Sequence, residues 1–430
     1  MAMINDPKAY SEKEFQKQAA EVLQKLGYTC LSPEECHRER GGYYPVLLKD
    51  VLRAKLRELN FFEYGETKYR FTPSNIERAI DELNVSIDDA GGLIKASEKI
   101  YDALLLGCDL PETVTDGRTL SFNLRYIDWE HLENNVFHVT REFMVSNAAG
   151  DGGAVPDLVL FVNGIPFGVI ECKTPMLDEN LAVEQHLRNQ GTEYIPHLFK
   201  FAQILFASNK NAVRYATAGT PRRFWSVWKE QSSDWHSEKL SQCVVDRSPT
   251  EQDKAVVSLF TPERLLKLAR YFILYDANVK KIARYQQFFA VEEIVKTVHT
   301  VEAASGIRKG GVIWHTQGSG KSLTMVMLAK YLLEQIRGSK VVIVTDRTEL
   351  DRQIEQTFSH TRLKPARATS GKNLIDLLNE GKSDIVTAII NKFSTVENSK
   401  VKIENRDVFV LVDESHRTNY GSLAAKMRPA

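Results

Sequence analysis

One octapeptide limits what this chain can fold into more than any other stretch: His315-Thr316-Gln317-Gly318-Ser319-Gly320-Lys321-Ser322. It follows the apolar run Gly311-Val312-Ile313-Trp314 and precedes an apolar helical pattern over residues 322–336. A strand, a glycine-rich turn, a Lys-Ser pair and a helix are the context in which a chain wraps a phosphate. Gly318 and Gly320 leave backbone N–H groups free to face the anion, with Ser319 between them in the same loop. Lys321 adds a point charge for the outer phosphates, and Ser322 offers a hydroxyl to Mg²⁺. The helix N-terminus directs its dipole at the same place. At the first position His315 stands where the full pattern has glycine.

A second motif lies about ninety residues on. The buried-strand pattern Val408-Phe409-Val410-Leu411-Val412 ends in Asp413-Glu414-Ser415-His416. An Asp at the end of such a strand can hold the Mg²⁺ that Ser322 touches, and Glu414 beside it can orient the attacking water. An Asp-Glu pair can also simply cap a following helix. Its pairing with the phosphate loop selects the ATP reading, and the Asp-Glu-x-His pattern resembles motif II of superfamily 2 helicases. Residues 340–345 and 384–390 are continuous apolar runs rich in β-branched residues, as central parallel strands require. Helical patterns over 349–358 and 372–378 separate these strands. Residues 261–430 therefore read as alternating β and α, a RecA-like lobe with a parallel sheet. Gln287, in Arg284-Tyr285-Gln286-Gln287, resembles the glutamine with which such helicases read adenine.

The upstream half carries different chemistry. Residues 156–173 read as two strands joined at Asn163-Gly164, a strong hairpin signal. Strand alternation puts Glu171 and Lys173 on one face and Cys172 on the other, in the core. Asp157 and Glu171 can chelate Mg²⁺ through oxygen, and Lys173 can steady the developing phosphate charge or the attacking hydroxide. An exposed salt-bridged hairpin would show the same short pattern, and the helicase-like lobe behind it favours the nuclease. Geometry adds a demand. A strict two-residue turn pairs Asp157 with Ile170 and separates the carboxylates, whereas a three-residue loop with a glycine bulge pairs Asp157 with Glu171. The expectation is a hairpin bulged or bent near Asp157.

Together these stretches resemble the motor (R) subunit of type I restriction endonucleases. The resemblance is carried by residues 157–166, Glu171-Cys172-Lys173, residues 315–322 and residues 345–353. It extends to Asn391-Lys392-Phe393, residues 413–417, Tyr126-Ile127-Asp128-Trp129 and residues 134–137. It implies an α/β chain: a restriction-endonuclease-like mixed-sheet domain over 1–260, then a first RecA-like lobe over 261–430. It implies a Mg²⁺-dependent nuclease fused to an ATP-driven translocase on double-stranded DNA, working with modification (methyltransferase) and specificity subunits. The family often carries Gln-x-x-x-Tyr on the helix after the catalytic lysine, and Gln190 and Tyr194 fit that spacing. None of the family's later helicase motifs falls within residues 1–430, and the expectation is an incomplete motor without the second lobe. Two other readings stay open, a stand-alone nuclease-helicase of repair or recombination, and a truncated fragment that binds DNA or partners without turnover.

Composition narrows the setting. With 56 basic and 56 acidic residues the formal net charge is zero, so any DNA site is a local groove rather than a charged tail. Arginines and aromatics interleave at residues 221–229, which reads first as a solvated edge over two core tryptophans, Trp225 and Trp228, and second as a stacking platform. The five cysteines show no paired metal spacing, which suits a reducing cytoplasm. The N-terminus is polar and no apolar run reaches membrane-span length. Ser11-x-x-Glu14 marks a helix start, with Phe15, Ala19, Val22, Leu23 and Leu26 inward and Gly27 closing it. Residues 232–253 read as a polar, weakly patterned stretch before a domain boundary near 260.

Overall fold

The computed structural model describes residues 11–230, 233–301, 308–314, 316, 318–345, 365–379, 383–389 and 407–413. Internal contacts divide it into two units. One comprises residues 1–270 with 278–282, and the other comprises 271–277 with 283–430. The sequence places its boundary near 260.

A six-stranded mixed sheet organises the first unit. Its strands are β1 (Thr29–Leu31), β2 (Phe137–Arg141), β3 (Leu158–Val162), β4 (Ile165–Lys173), β5 (Ile204–Asn209) and β6 (Val213–Ala216), in that spatial order. The β1–β2 and β4–β5 pairs are parallel, and the other three are antiparallel. Every residue of β3 is buried, and all of β4 except Lys173. These strands are covered on both faces, hence the continuous apolar run in the sequence. Helix α1 (Glu12–Lys25) packs on β2, β4 and α4 (Glu251–Phe260), and α2 (Asn180–Asn189) packs on β4 and β5. Ser11 Oγ accepts the Glu14 N–H at 3.2 Å and opens α1, while Gly27, at φ +104°, follows its end.

The hairpin turn is strict and its bulge lies elsewhere. Val162 pairs with Ile165 across Asn163 (φ +52°) and Gly164 (φ +82°), both left-handed. Gly164 is required: a Cβ there would sit 2.6 Å from Leu48 O. Asn163 fastens the turn, donating to Tyr126 O at 3.0 Å and to Asn135 Oδ1 at 2.8 Å. The register then slips by one residue between Pro166 and Gly168. Phe167 is the extra residue; its carbonyl accepts the Gln203 N–H at 2.7 Å. Pro166 has no N–H to give a ladder, so the strand yields at this point at small cost. Beyond the slip Ile170 lies opposite Leu158, which brings Glu171 opposite Asp157. The carboxylates are paired, by a bulge at Phe167 rather than by the expected distortion of the turn or of the chain near Asp157.

One stretch departs from the sequence reading, and another follows the reading put first. Residues 232–253 carry helical structure: α3 (Asp234–Cys243) is capped by Ser233, and α4 opens on a reciprocal Thr250–Asp253 capping box. Asp253 is buried and held by Arg247 at 2.7 Å. Trp225 and Trp228 are both buried, so the stacking platform is excluded in favour of core tryptophans.

The second unit holds a parallel sheet of β7 (Lys340–Thr345), β8 (Ala366–Arg367), β9 (Ile385–Ile389) and β10 (Val408–Val412), in the order β8-β9-β7-β10. Val342, Val344, Val386 and Ala388 form its core with Leu374 and Leu378 of α7 (Gly371–Asn379). Helices α5 (Tyr285–Val298) and α6 (Lys321–Gln335) pack together, and α6 packs on β7. Alternating parallel strands and helices are what the sequence led us to expect of a RecA-like lobe. Residues 311–314, expected as the strand before the phosphate loop, lie outside any strand, with Val312 and Trp314 more than four-fifths exposed. No neighbour supplies them with a hydrogen-bond ladder among the described residues, and a strand does not stand without one.

Candidate nuclease centre and nucleotide site

Asp157 occupies the bend just before β3, and Glu171 and Lys173 close β4. Asp157 is 6 % exposed and Glu171 fully buried. The backbone N–H of Cys172 donates to Asp157 Oδ2 at 2.6 Å, and Gln16 Nε2 of α1 donates to Oδ1 at 2.8 Å. Gln185 Nε2 of α2 donates to Glu171 Oε2 at 2.7 Å, and Asn189 Nδ2 approaches Oε1 at 3.4 Å. Lys173 Nζ is bonded to Glu12 Oε1 of α1 at 2.9 Å. Cys172 points into the core, as strand alternation requires.

Burial dominates the electrostatics. It pushes the Asp157 carboxyl up to about 6, against the Cys172 N–H and the Lys173 charge, with Glu12 adding to the rise. Burial also raises Glu171 well above the carboxylate range, and the Asp157 charge beside it adds to this. Two buried carboxyls held by amide donors disfavour each other's ionisation, a cost that an oxygen-loving dication would relieve. Among the described residues no three His, Cys, Asp or Glu side chains are grouped to hold a metal. Asp157 and Glu171 would therefore supply part of a Mg²⁺ shell, leaving the remainder to water and phosphate, as Mg²⁺ prefers.

Gln190 and Tyr194 do not join this centre. Gln190 Nε2 caps His186 O at 2.9 Å and its Oε1 accepts the Gly219 N–H at 2.7 Å. Tyr194 lies under the Arg188 guanidinium. Helical phase is the reason: Gln190 follows α2, whereas Gln185 and Asn189, four residues apart, share the stripe that faces Glu171. Sequence reasoning passed over Gln185 and Asn189, and it also missed Glu12 and Gln16. The last two are again four apart, on the helix whose apolar face it did read. An acid and an amide one turn apart on the buried side of that helix were the available signal.

The nucleotide site is described in part. Gly318 and Gly320 both have left-handed φ, +76° and +85°, and Gly320 caps the N-terminus of α6, so Lys321 and Ser322 begin that helix. Among the described residues Ser319 Oγ is buried without a partner, a polar atom left for a ligand. Gln287 Oε1 accepts the Arg284 N–H at 2.9 Å, and its Nε2 donates to Gly320 O at 3.1 Å. A Cβ on Gly320 would meet that Nε2 at 2.7 Å, so the glycine admits the glutamine as well as the turn. Asp413 is buried just beyond β10, its N–H bonded to Val344 O at 3.0 Å. A loop of glycine amides at a helix N-terminus, with a lysine and an orphan hydroxyl, fits a nucleotide phosphate. His315, Gln317, Glu414, residues 346–353 and residues 391–393 lie outside the described residues.

Two family profiles match the chain. The one described as "Type I restriction enzyme R protein N terminus" covers residues 9–224, half of the chain, and "SWI2/SNF2 ATPase" covers 286–430. The chain belongs to the type I restriction enzyme R protein family. Similar proteins include the type I restriction enzyme HindI endonuclease subunit of Haemophilus influenzae, 29 % identical over 96 % of this chain and 39 % of that protein. Another, from Methanocaldococcus jannaschii, is named provisionally as the type I restriction enzyme MjaIXP endonuclease subunit. It is 30 % identical over 96 % of this chain and 40 % of its own length. A third, the SsaAORF53P endonuclease subunit of Staphylococcus saprophyticus, is 26 % identical over 70 % of this chain and 31 % of its own. The chain thus spans about two fifths of the length of the first two. The two profiles fall on the mixed-sheet unit and on the parallel-sheet unit respectively, and no described helix is long and apolar enough to cross a membrane.

Proposed function

We propose that this chain is the nuclease and first motor lobe of a type I restriction R subunit, acting in the cytoplasm on double-stranded DNA with modification and specificity subunits. The observation that carries the nuclease reading is the Phe167 bulge, which sets Asp157 opposite Glu171 with Lys173 two residues further along the strand. Mg²⁺ held by these carboxylates would polarise the scissile phosphate and lower the pKa of a bound water. The chain's own residues do the rest. Asp157 and Glu171 are fixed by Cys172 N–H, Gln16, Gln185 and Asn189, so they need no reorganisation when charge develops. Lys173 supplies the positive charge for the pentavalent phosphate or holds the attacking hydroxide.

ATP drives the motor in this reading. Gly318, Ser319, Gly320 and Lys321 would cradle the phosphates, Ser322 and Asp413 would hold the Mg²⁺ of the nucleotide, and Glu414 would orient water. Separate sites for cutting and for ATP make a separable test. In the complete subunit assembled with its partners, Asp157→Ala should abolish DNA cleavage and leave DNA-stimulated ATP hydrolysis running. Lys321→Ala should abolish ATP hydrolysis. An Asp157→Ala complex that cuts at the wild-type rate sinks the nuclease assignment. Activity of the assembly without any modification subunit would favour a stand-alone nuclease-helicase.

A further inference from the structure

Helix α1 reaches the nuclease centre twice, through Gln16 on Asp157 and through Glu12 on Lys173. The second contact is chemically unusual. Lys173 is the cation that the proposed reaction needs at the phosphate, yet its ammonium is engaged at 2.9 Å by a carboxylate that belongs to neither strand of the hairpin. Lys173 is 12 % exposed and Glu12 36 %, so the acid is the more accessible member, at the mouth of the site. Lys13, next along α1, is engaged with Glu142 at 3.1 Å. The ammonium therefore faces three carboxyls, Glu12, Asp157 and Glu171, and its charge offsets part of the burial-driven rise in the last two. Without a dication the centre is anionic, and a DNA phosphate would be repelled from it.

We propose that Glu12 is a positioning residue, the resting counter-ion that holds the Lys173 ammonium until a DNA phosphate takes its place. The exchange is one charge-assisted hydrogen bond for another, carboxylate oxygen for phosphate oxygen. It becomes favourable once a dication compensates Asp157 and Glu171. The competition reserves Lys173 for a metal-loaded centre and limits metal-free engagement of DNA. This rests on the nuclease reading of Lys173, but its sharpest consequence concerns binding and not cutting.

The test is a double-mutant cycle on DNA affinity, with the chain of residues 1–430, a short duplex and EDTA, read by fluorescence anisotropy over a salt series. Glu12→Gln keeps the side-chain shape at the first residue of α1 and removes its charge. It should tighten metal-free binding about threefold or more and steepen the log–log salt slope by about 0.9, one further phosphate neutralised. Glu12→Asp should behave as wild type. Lys173→Met in the Glu12→Gln background should erase the gain and the added slope, which a merely structural role for Glu12 would not produce. The proposal is overturned if Glu12→Gln leaves affinity and slope unchanged, if it binds no DNA, or if the gain survives Lys173→Met. Failure of the nuclease reading shows separately, as cleavage that persists in Asp157→Ala.

Discussion

Gln16 donates a 2.8 Å hydrogen bond to Asp157 across 141 positions of sequence, and this contact ties the first helix to the β3–β4 hairpin. Asp157 accepts on both oxygens, from Gln16 and from the Cys172 N–H. Neither donor is charged. A carboxylate that is 6 % exposed and solvated by neutral donors is held at a cost in stability, the usual condition of a group kept for chemistry.

That cost sets a pH-dependent prediction. The Asp157 carboxyl sits at about 6 in the folded chain and near 3.8 when unfolded. Between these values the folded state binds the extra proton, so its stability falls as pH rises through the window and stays low above it. Asp157→Asn removes this loss. Gln16 can turn its amide to accept from the new Nδ2, keeping both bonds. Metal-free Asp157→Asn should therefore be more stable than wild type by roughly 1–3 kcal/mol at pH 8, with no gain below pH 4. Urea unfolding in EDTA across that range measures it. A variant less stable at pH 8 than at pH 4, relative to wild type, contradicts the assignment of the burial cost to Asp157.

The two glutamines of α2 and its C-terminus should separate cleanly. Gln185→Ala strips a donor from the fully buried Glu171, and losses of this kind behind a metal-binding carboxylate cost about 10–100-fold in affinity or activity. Gln190→Ala loses only bonds to His186 O and Gly219 N–H. Cleavage and Mn²⁺ binding should drop in the first variant and hold in the second. Equal losses in both would return Gln190 to the site.

How far the sequence could be read follows from what each signal depends on. Hairpin, buried β3 and β4, and the inward stripe of α1 were legible because alternation and helical period are local. The facing of Asp157 and Glu171 was legible only as a condition, since it hangs on one extra residue. Nothing in Pro166-Phe167-Gly168 alone says that Phe167 is the one left unpaired; its carbonyl is drawn out by Gln203, thirty-six positions on. Gln190 came from the family's Gln-x-x-x-Tyr spacing, whereas the contact of Gln185 with Glu171 is tertiary and leaves no local signal. Helix α4 was hidden because two polar residues of its first turn, Gln252 and Asp253, are buried: Asp253 is held by Arg247 and by its own cap, so a charge there marks the interior.

Lys280 offers a prediction away from both sites. It is fully buried in the strand Val279–Ile282, donating to Ala202 O and Gln203 Oε1 at 2.9 Å and to Ser97 Oγ at 3.2 Å. Burial lowers its amine to about 7. The unfolded chain binds this proton up to about pH 10 and the folded chain releases it near 7, so wild-type stability rises with pH across that window. Lys280→Met cannot show that rise, and it leaves the acceptors without their donor. Its deficit against wild type should widen from pH 7 to pH 9 in thermal unfolding. A deficit that is flat or shrinks over that range would mean the lysine stays charged in its pocket.

Gln287 invites the closest test of the nucleotide site. Its amide is spent within the protein: the oxygen on the Arg284 N–H, the nitrogen on the carbonyls of Ser319 and Gly320. A glutamine engaged in this way braces the phosphate loop, and a brace is blind to the base. Gln287→Ala should then weaken ATP and GTP binding by the same factor, about 5–50-fold for the loss of hydrogen bonds worth roughly 0.5–1.5 kcal/mol each and of the loop order they impose. An adenine reader behaves differently, because its removal penalises ATP and spares GTP. Lys321→Ala is the companion variant, since it should abolish binding of both nucleotides without moving Gln287. If Gln287→Ala loses ATP selectively while GTP affinity holds, the amide must leave Gly320 when nucleotide arrives and turn to the base, and the bracing contact belongs to the empty loop alone.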